Sequence, residues 1–263
     1  MSTIQVLIST MQQDSKDFSL AKKMNIQSDA IIINQANEIA YYQKKNSINN
    51  TLQMFSFAER GVGLSRNNAL MRAKADICMM ADDDMVYVDN YEEIVKSTYQ
   101  KYPDADFIVF NVRVHYTDRT EERVKKNGRV HYWNSLRYGT VTFTFKRESV
   151  QKKNLSFSLL FGGGAKYSSG EDTLFLWSSL KKGLKVYSEK TVIADVYNYE
   201  SSWFEGYNEK FYRDKGALFK AMEPKLYPLL NLQLALRKRN EYQTNKSITD
   251  ILRIMHQGSR EMQ

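Results

Sequence analysis

Three consecutive aspartates, Asp82, Asp83 and Asp84, close the apolar run Ile77-Cys78-Met79-Met80-Ala81. Adjacent like charges repel, and each loses hydration when drawn partly out of water, so such a cluster calls for a compensating cation. Carboxylate oxygens are hard ligands suited to Mg²⁺ or Mn²⁺, which take one or two protein carboxylates and fill their shell with water and phosphate oxygens. The apolar run reads as a strand, which would point Asp82 and Asp84 to one face. A solvated acidic turn is the plainer alternative. A second acidic pair, Glu171-Asp172, follows the glycine-rich stretch Phe161-Gly162-Gly163-Gly164 and opens a predicted helix ending near Gly183. Taken alone, that pair is a first-turn cap favoured by the helix dipole.

Both clusters need a scaffold, and hydrophobic patterning supplies one. Residues 4 to 9 and 29 to 33 are short apolar runs rich in β-branched residues, separated by enough chain for a crossover helix. Phe55-Ser56-Phe57 begins a third unit, and Ser65 is a plausible N-cap for the helix carrying Arg66 and Asn67-Asn68-Ala69. The aspartates therefore fall at the carboxyl end of a strand, the edge where open parallel sheets bind ligands. Asp89 to Glu92 has capping-box spacing, with Tyr91, Ile94, Val95, Thr98, Tyr99 and Tyr102 on one helical face before Pro103. Further strands are expected at 106 to 114, 138 to 145, Lys185 to Ser188 and Val192 to Val196, then helix from Asn208 to Arg239. The pattern is α/β with a mixed sheet and a helical end.

The chain has 263 residues, 42% apolar and 26% charged, which favours one folded α/β domain. Its single cysteine, Cys78, cannot form an internal disulfide, and the N-terminus lacks the pattern of a secretion signal, so a reducing, cytoplasmic setting is expected. The net charge of +8 points to an anionic partner. No basic-aromatic recognition motif accompanies it, which disfavours nucleic acid and leaves a nucleotide diphosphate or an anionic membrane surface.

The order of these features resembles the family 2 glycosyltransferases with the GT-A fold. Two strands come first, then Gly63-Leu64-Ser65-Arg66-Asn67-Asn68-Ala69-Leu70, a strand ending in an Asp-x-Asp signature, and a Glu-Asp pair opening a helix. The resemblance spans roughly residues 1 to 205 and implies a Rossmann-like GT-A mixed sheet flanked by helices, with 206 to 263 as a helical extension. It implies an inverting transferase moving a sugar, with a UDP-hexose as the expected donor, to a saccharide or lipid-linked saccharide acceptor. In that reading Asp84 binds the Mn²⁺ or Mg²⁺ bridging the phosphates, and Asp82 lies near the ribose or the metal. Asp83, Thr10, Asn34 and Arg66 line the nucleotide, and Asp172 is the catalytic base. Glu171, Gly164 and Trp203 border the acceptor.

Several alternatives stand beside it. Arg66 could be a salt-bridged helix arginine, and Thr10 and Asn34 plain strand-terminating residues. Many relatives carry a histidine after the last core strand, where this chain reads Val196-Tyr197-Asn198-Tyr199; His115, His131 and His256 lie elsewhere and read as structural or surface residues. The segment from Leu226 to Arg239 is apolar on one side and basic at its end, fitting a membrane-surface helix, a dimer helix or a packed core helix. A nucleotidyltransferase is the main enzymatic rival, though Thr10 to Ser15 is not a glycine-rich phosphate loop. A non-catalytic sugar-nucleotide-binding subunit of the same fold is the other.

Overall fold

A computed structural model describes residues 2–197, 206–238, 241 and 246–262. The chain opens with β1 (Ile4–Met11), α1 (Ser19–Lys23) and β2 (Asp29–Gln35), then the antiparallel pair β3 (Ala40–Lys45) and β4 (Thr51–Phe57). Helix α2 (Val62–Arg72) leads to β5 (Ile77–Asp82), which turns at Asp83 and Asp84 into β6 (Met85–Tyr87) and α3 (Tyr91–Lys101). The middle of the chain forms β7 (Phe107–His115), β8 (Thr120–Glu122), β9 (Gly128–Arg129), α4 (Tyr132–Ser135), β10 (Phe143–Lys146) and α5 (Arg147–Lys152). Helix α6 (Glu171–Lys181) and β11 (Val186–Tyr197) precede α7 (Glu209–Met222), α8 (Tyr227–Lys238) and α9 (Ile248–Arg260).

Among the described residues the strands make one mixed sheet of eleven, ordered β3-β4-β2-β1-β5-β10-β7-β11-β6, with β8 beside β7 and β9 beside β11. Strands β4, β2, β1 and β5 run parallel, so Gln35, Thr10 and Asp82 emerge at one edge. β10 is antiparallel to both β5 and β7. Strands covered on both faces read as nearly unbroken apolar runs, and β1 is buried at every position except Met11. Val6 and Ile8 meet α1 and α3 on one face; Leu7 joins Ala69 of α2, Ala73 just past its end and Phe175 of α6 on the other. A third core holds α7, α8 and α9 together and against Trp177, Phe161 and Tyr167.

The expected mixed α/β architecture is present, with five local differences. The strand expected at 138 to 145 begins only at Phe143, after a tight turn at Thr140–Thr142. Helix α2 begins at Val62, three residues before Ser65, because Gly61 at φ 127° starts it; the Ser65 hydroxyl instead donates to Ser9 Oγ at 3.0 Å. Asp89 does not cap α3: the N-cap is Asn90 in a left-handed conformation without a side-chain cap, and Asp89 accepts from Asn25 and Gln27. The strands expected at 185 to 188 and 192 to 196 are one strand, β11, whose register slips around Glu189 to Ala194. The helix expected from 208 to 239 breaks after Met222, where Pro224 cannot continue it.

Candidate active site

Side chains from both chemical clusters meet in a cleft of about 690 Å³ at the carboxyl edge of the parallel strands. Its floor is Ser9 and Thr10 of β1 and the Asp82-Asp83-Asp84 turn. One wall is the Gly163–Gly164 loop and the start of α6, and another is Gly139 to Thr142.

Arg66 joins the clusters. It is buried on α2, donates from one guanidinium nitrogen to Asp82 Oδ1 at 2.9 Å and Oδ2 at 3.2 Å, and from another to Glu171 Oε1 at 2.6 Å. Its guanidinium lies 5.6 Å from the centre of the Phe157 ring. Burial opposes its charge, but the Asp82 and Glu171 carboxylates outweigh burial and hold the guanidinium firmly protonated. The salt-bridged alternative for Arg66 is thus realised inside the cleft rather than on the surface.

The three aspartates have different partners. Asp82 is held by Arg66, and Asp83 Oδ2 accepts from Thr10 Oγ1 at 2.5 Å. Asp84 has a buried Oδ1 with no hydrogen-bond partner among the described residues, and burial, followed by the charges of Asp82 and Asp83, pushes its carboxyl up to about 6. The chain turns after Asp82, so strand alternation does not carry Asp82 and Asp84 onto one face as expected. A buried oxygen without a partner is costly unless a ligand supplies what the protein omits.

Glu171 and Asp172, adjacent in sequence, have unlike surroundings. Glu171 is buried; burial and the neighbouring Asp172 charge push its carboxyl up while Arg66 pulls it back. Asp172 lines the cleft, its Oδ1 accepting the Thr173 N–H at 2.6 Å. Gly139 approaches so closely that a β-carbon there would lie 3.3 Å from Asp172 Oδ2. The preceding loop depends on glycine. Gly162 sits at φ +105°, where a β-carbon would come within 2.7 Å of both Glu171 Oε2 and Val62 Cγ1; Gly164, at φ +79°, abuts the Gly61 backbone.

Of the other residues singled out from sequence, Thr10 and Gly164 line the cleft. Asn34 does not. It is fully buried, with Oδ1 accepting from Gln13 N at 3.1 Å and Nδ2 donating to Gln13 O at 2.9 Å and Ser56 Oγ at 3.0 Å, which fixes the loop after β1. Trp203 lies outside the described residues. His115 is tied to Asp195, with Nε2 2.6 Å from Oδ1.

Helix α7 adds two residues that sequence reading missed. Asp214 is buried and accepts the Ser168 N–H at 2.9 Å and hydroxyl at 2.7 Å; Lys215 donates to Ser169 Oγ at 3.3 Å. Burial pushes the Lys215 ammonium down against the pull of Asp172, Glu171 and Asp214. Together they pin the Ser168–Gly170 segment that delivers the acidic pair. Locally, Arg213-Asp214-Lys215 looks like any solvated helix face, so no sequence signal marked them.

No protein-family model and no curated protein sequence matches the chain. Solved structures do match in fold. Residues 1–349 of TarS from S. aureus, a GT-A-like glycosyltransferase crystallised in complex with UDP-GlcNAc, align with a TM-score of 0.61 and 12% identity over 92% of this chain and 74% of that one. The same TarS segment with UDP gives 0.60 and 12% over 90% and 73%. A longer TarS chain gives 0.59 and 12%, the match covering 92% of this chain and 44% of that one. The mixed sheet with flanking helices is the fold of these glycosyltransferase structures.

Proposed function

We propose that this chain is an inverting glycosyltransferase that moves a sugar from a UDP-sugar to a hydroxyl of a saccharide or lipid-linked saccharide. The observation that carries this is the Asp82–Arg66–Glu171 bridge, which sets the aspartate turn and Asp172 into one cleft with different tasks. The fold shared with TarS, which binds UDP and UDP-GlcNAc in the matched structures, supports a uridine diphosphate donor.

Asp172 is the base. It faces the cleft without an arginine partner among the described residues, whereas Glu171 is held by Arg66. The acceptor hydroxyl gives its proton to the Asp172 carboxylate as its oxygen bonds to the anomeric carbon. The bond from that carbon to the diphosphate oxygen breaks on the opposite side, UDP leaves with the electron pair, and the configuration inverts. Glu171 keeps Arg66 oriented, and Arg66 holds the Asp82 carboxylate in place beside the donor.

A divalent metal fits the residues present in a limited way. No group of three His, Cys, Asp or Glu side chains converges among the described residues, but Mg²⁺ and Mn²⁺ need only one or two carboxylates besides phosphate and water. Asp84, whose buried oxygen has no partner among the described residues, is the residue that would hold the ion, and Asp82 is the neighbour. When bound, the ion supplies positive charge against the departing diphosphate.

Asp172→Asn is expected to abolish UDP release from a UDP-sugar while leaving UDP binding within about twofold of wild type, since a base acts in the transition state and not in donor binding. Retained turnover in that variant would remove the assigned base.

A further inference from the structure

Helix α8 is apolar on two sides. One side, with Leu234 and Ala235 fully buried and Tyr227 and Leu230 partly so, packs into the third core with α7 and α9. On the other, Leu226, just ahead of the helix, and Leu229, Leu232 and Leu236 recur at spacings of three, three and four residues. They are 54%, 64%, 40% and 49% exposed. A helix needs only one apolar stripe to join a core, so a second, exposed stripe marks a surface that meets something else.

Charge around the stripe selects the occupant. No acidic residue occurs between Glu223 and Glu241, while Lys225 precedes the stripe and Arg237, Lys238 and Arg239 follow it. Lys238 is paired with Glu241 at 2.8 Å, while Lys225 and Arg237 are exposed. A two-fold contact between copies would press this face against itself, setting cations against cations with no carboxylate in the segment to pair them. A bilayer surface of anionic lipid meets both demands: acyl chains take the leucines, and headgroup phosphates take Lys225 and Arg237. Among the described residues no helix is long and apolar enough to cross a membrane, so α8 lies along the surface.

We infer that α8 docks the protein onto anionic lipid bilayers through Leu226, Leu229, Leu232 and Leu236, with Lys225 and Arg237 on headgroups. This does not depend on the proposed chemistry of the cleft. The test is co-sedimentation of the full chain with vesicles of phosphatidylglycerol and phosphatidylcholine in equal parts, or of phosphatidylcholine alone, with light scattering for oligomeric state. The wild type is expected to pellet with the anionic vesicles only. Leu229→Glu/Leu236→Glu is expected to weaken that binding by more than about tenfold, and Lys225→Ser/Arg237→Ser by roughly fivefold for each charge removed. Unchanged melting temperatures verify that these exposed substitutions leave the fold intact. The inference is overturned if the wild type stays in the supernatant, binds neutral vesicles equally, or keeps its affinity in the leucine variant. It is equally overturned if the chain is a dimer that the leucine variant dissociates, because a second copy then covers the stripe.

Discussion

Asp84 links the stability of the protein to its proposed ligand. Its carboxyl is pushed up to about 6, so between roughly pH 4 and pH 6 the native state retains a proton that an unfolded aspartate has released. Stability is therefore lost as pH rises through that window, and the whole penalty stands at pH 8. Asp84→Asn is expected to raise the melting temperature at pH 8 by several degrees and leave it unchanged at pH 4. The upper bound is about 3 kcal/mol at 1.36 kcal/mol per pKa unit, or roughly 2–4 °C for each kcal/mol in a chain of this size. Because a metal competes with that proton, metal-dependent nucleotide binding should weaken as pH falls below about 6. Arg66 behaves oppositely. Arg66→Met strands Asp82 and Glu171 without their shared cation and is expected to destabilise the protein by about 3–5 kcal/mol in denaturant titrations; Arg66→Lys, which cannot span both carboxylates with one planar fork, should recover only part of it.

At the scale of elements, the site is held by contacts far apart in sequence. Asp214 of α7 fixes Ser168, and Gly162 lets the loop pass beneath Glu171. Asp214→Ala leaves a buried N–H and hydroxyl without their acceptor; a loss of about 1–3 kcal/mol is expected, with a lower kcat and an unchanged UDP affinity. Gly162→Ala places a β-carbon against Glu171 and Val62 at a φ that side chains avoid, and loss of both stability and turnover is expected in melting and UDP-release assays. These dependencies mark the limit of what the sequence displayed. The strand ending in Asp82 and the helix opening at Glu171 were legible because hydrophobic period and acidic punctuation are local signals. The Arg66 bridge, the Asp214 and Lys215 pins and the structural role of Asn34 were not, since each depends on the fold bringing together residues 16 to 105 positions apart. The exposed hairpin strand β3, polar at most positions, lacked an alternation strong enough to announce itself. The break at Pro224 and the single strand β11 show local patterns yielding to helix-breaking geometry and to pairing with β7.

Across the whole molecule, the parallel strands β4, β2, β1 and β5 set Thr10, Gln35 and Asp82 along one edge, and the segment before β10 and α6 bring Gly139 and Asp172 to face them. The α7–α9 layer braces that wall from behind and carries the leucine stripe. The fold recurs in TarS at 12% identity, so the topology is shared where few side chains are. The central claim is that the cleft holds a uridine diphosphate through Asp84 and a metal, beside an acidic base that binding does not require. Its most direct test is the melting temperature of the wild type, Asp84→Ala and Asp172→Asn with UDP, Mn²⁺, or both. UDP and Mn²⁺ together at about a hundredfold over Kd should stabilise the wild type by about 2.7 kcal/mol, or roughly 5–10 °C. That shift should persist in Asp172→Asn and vanish in Asp84→Ala. No shift in the wild type, or an equal shift in Asp84→Ala, would contradict it.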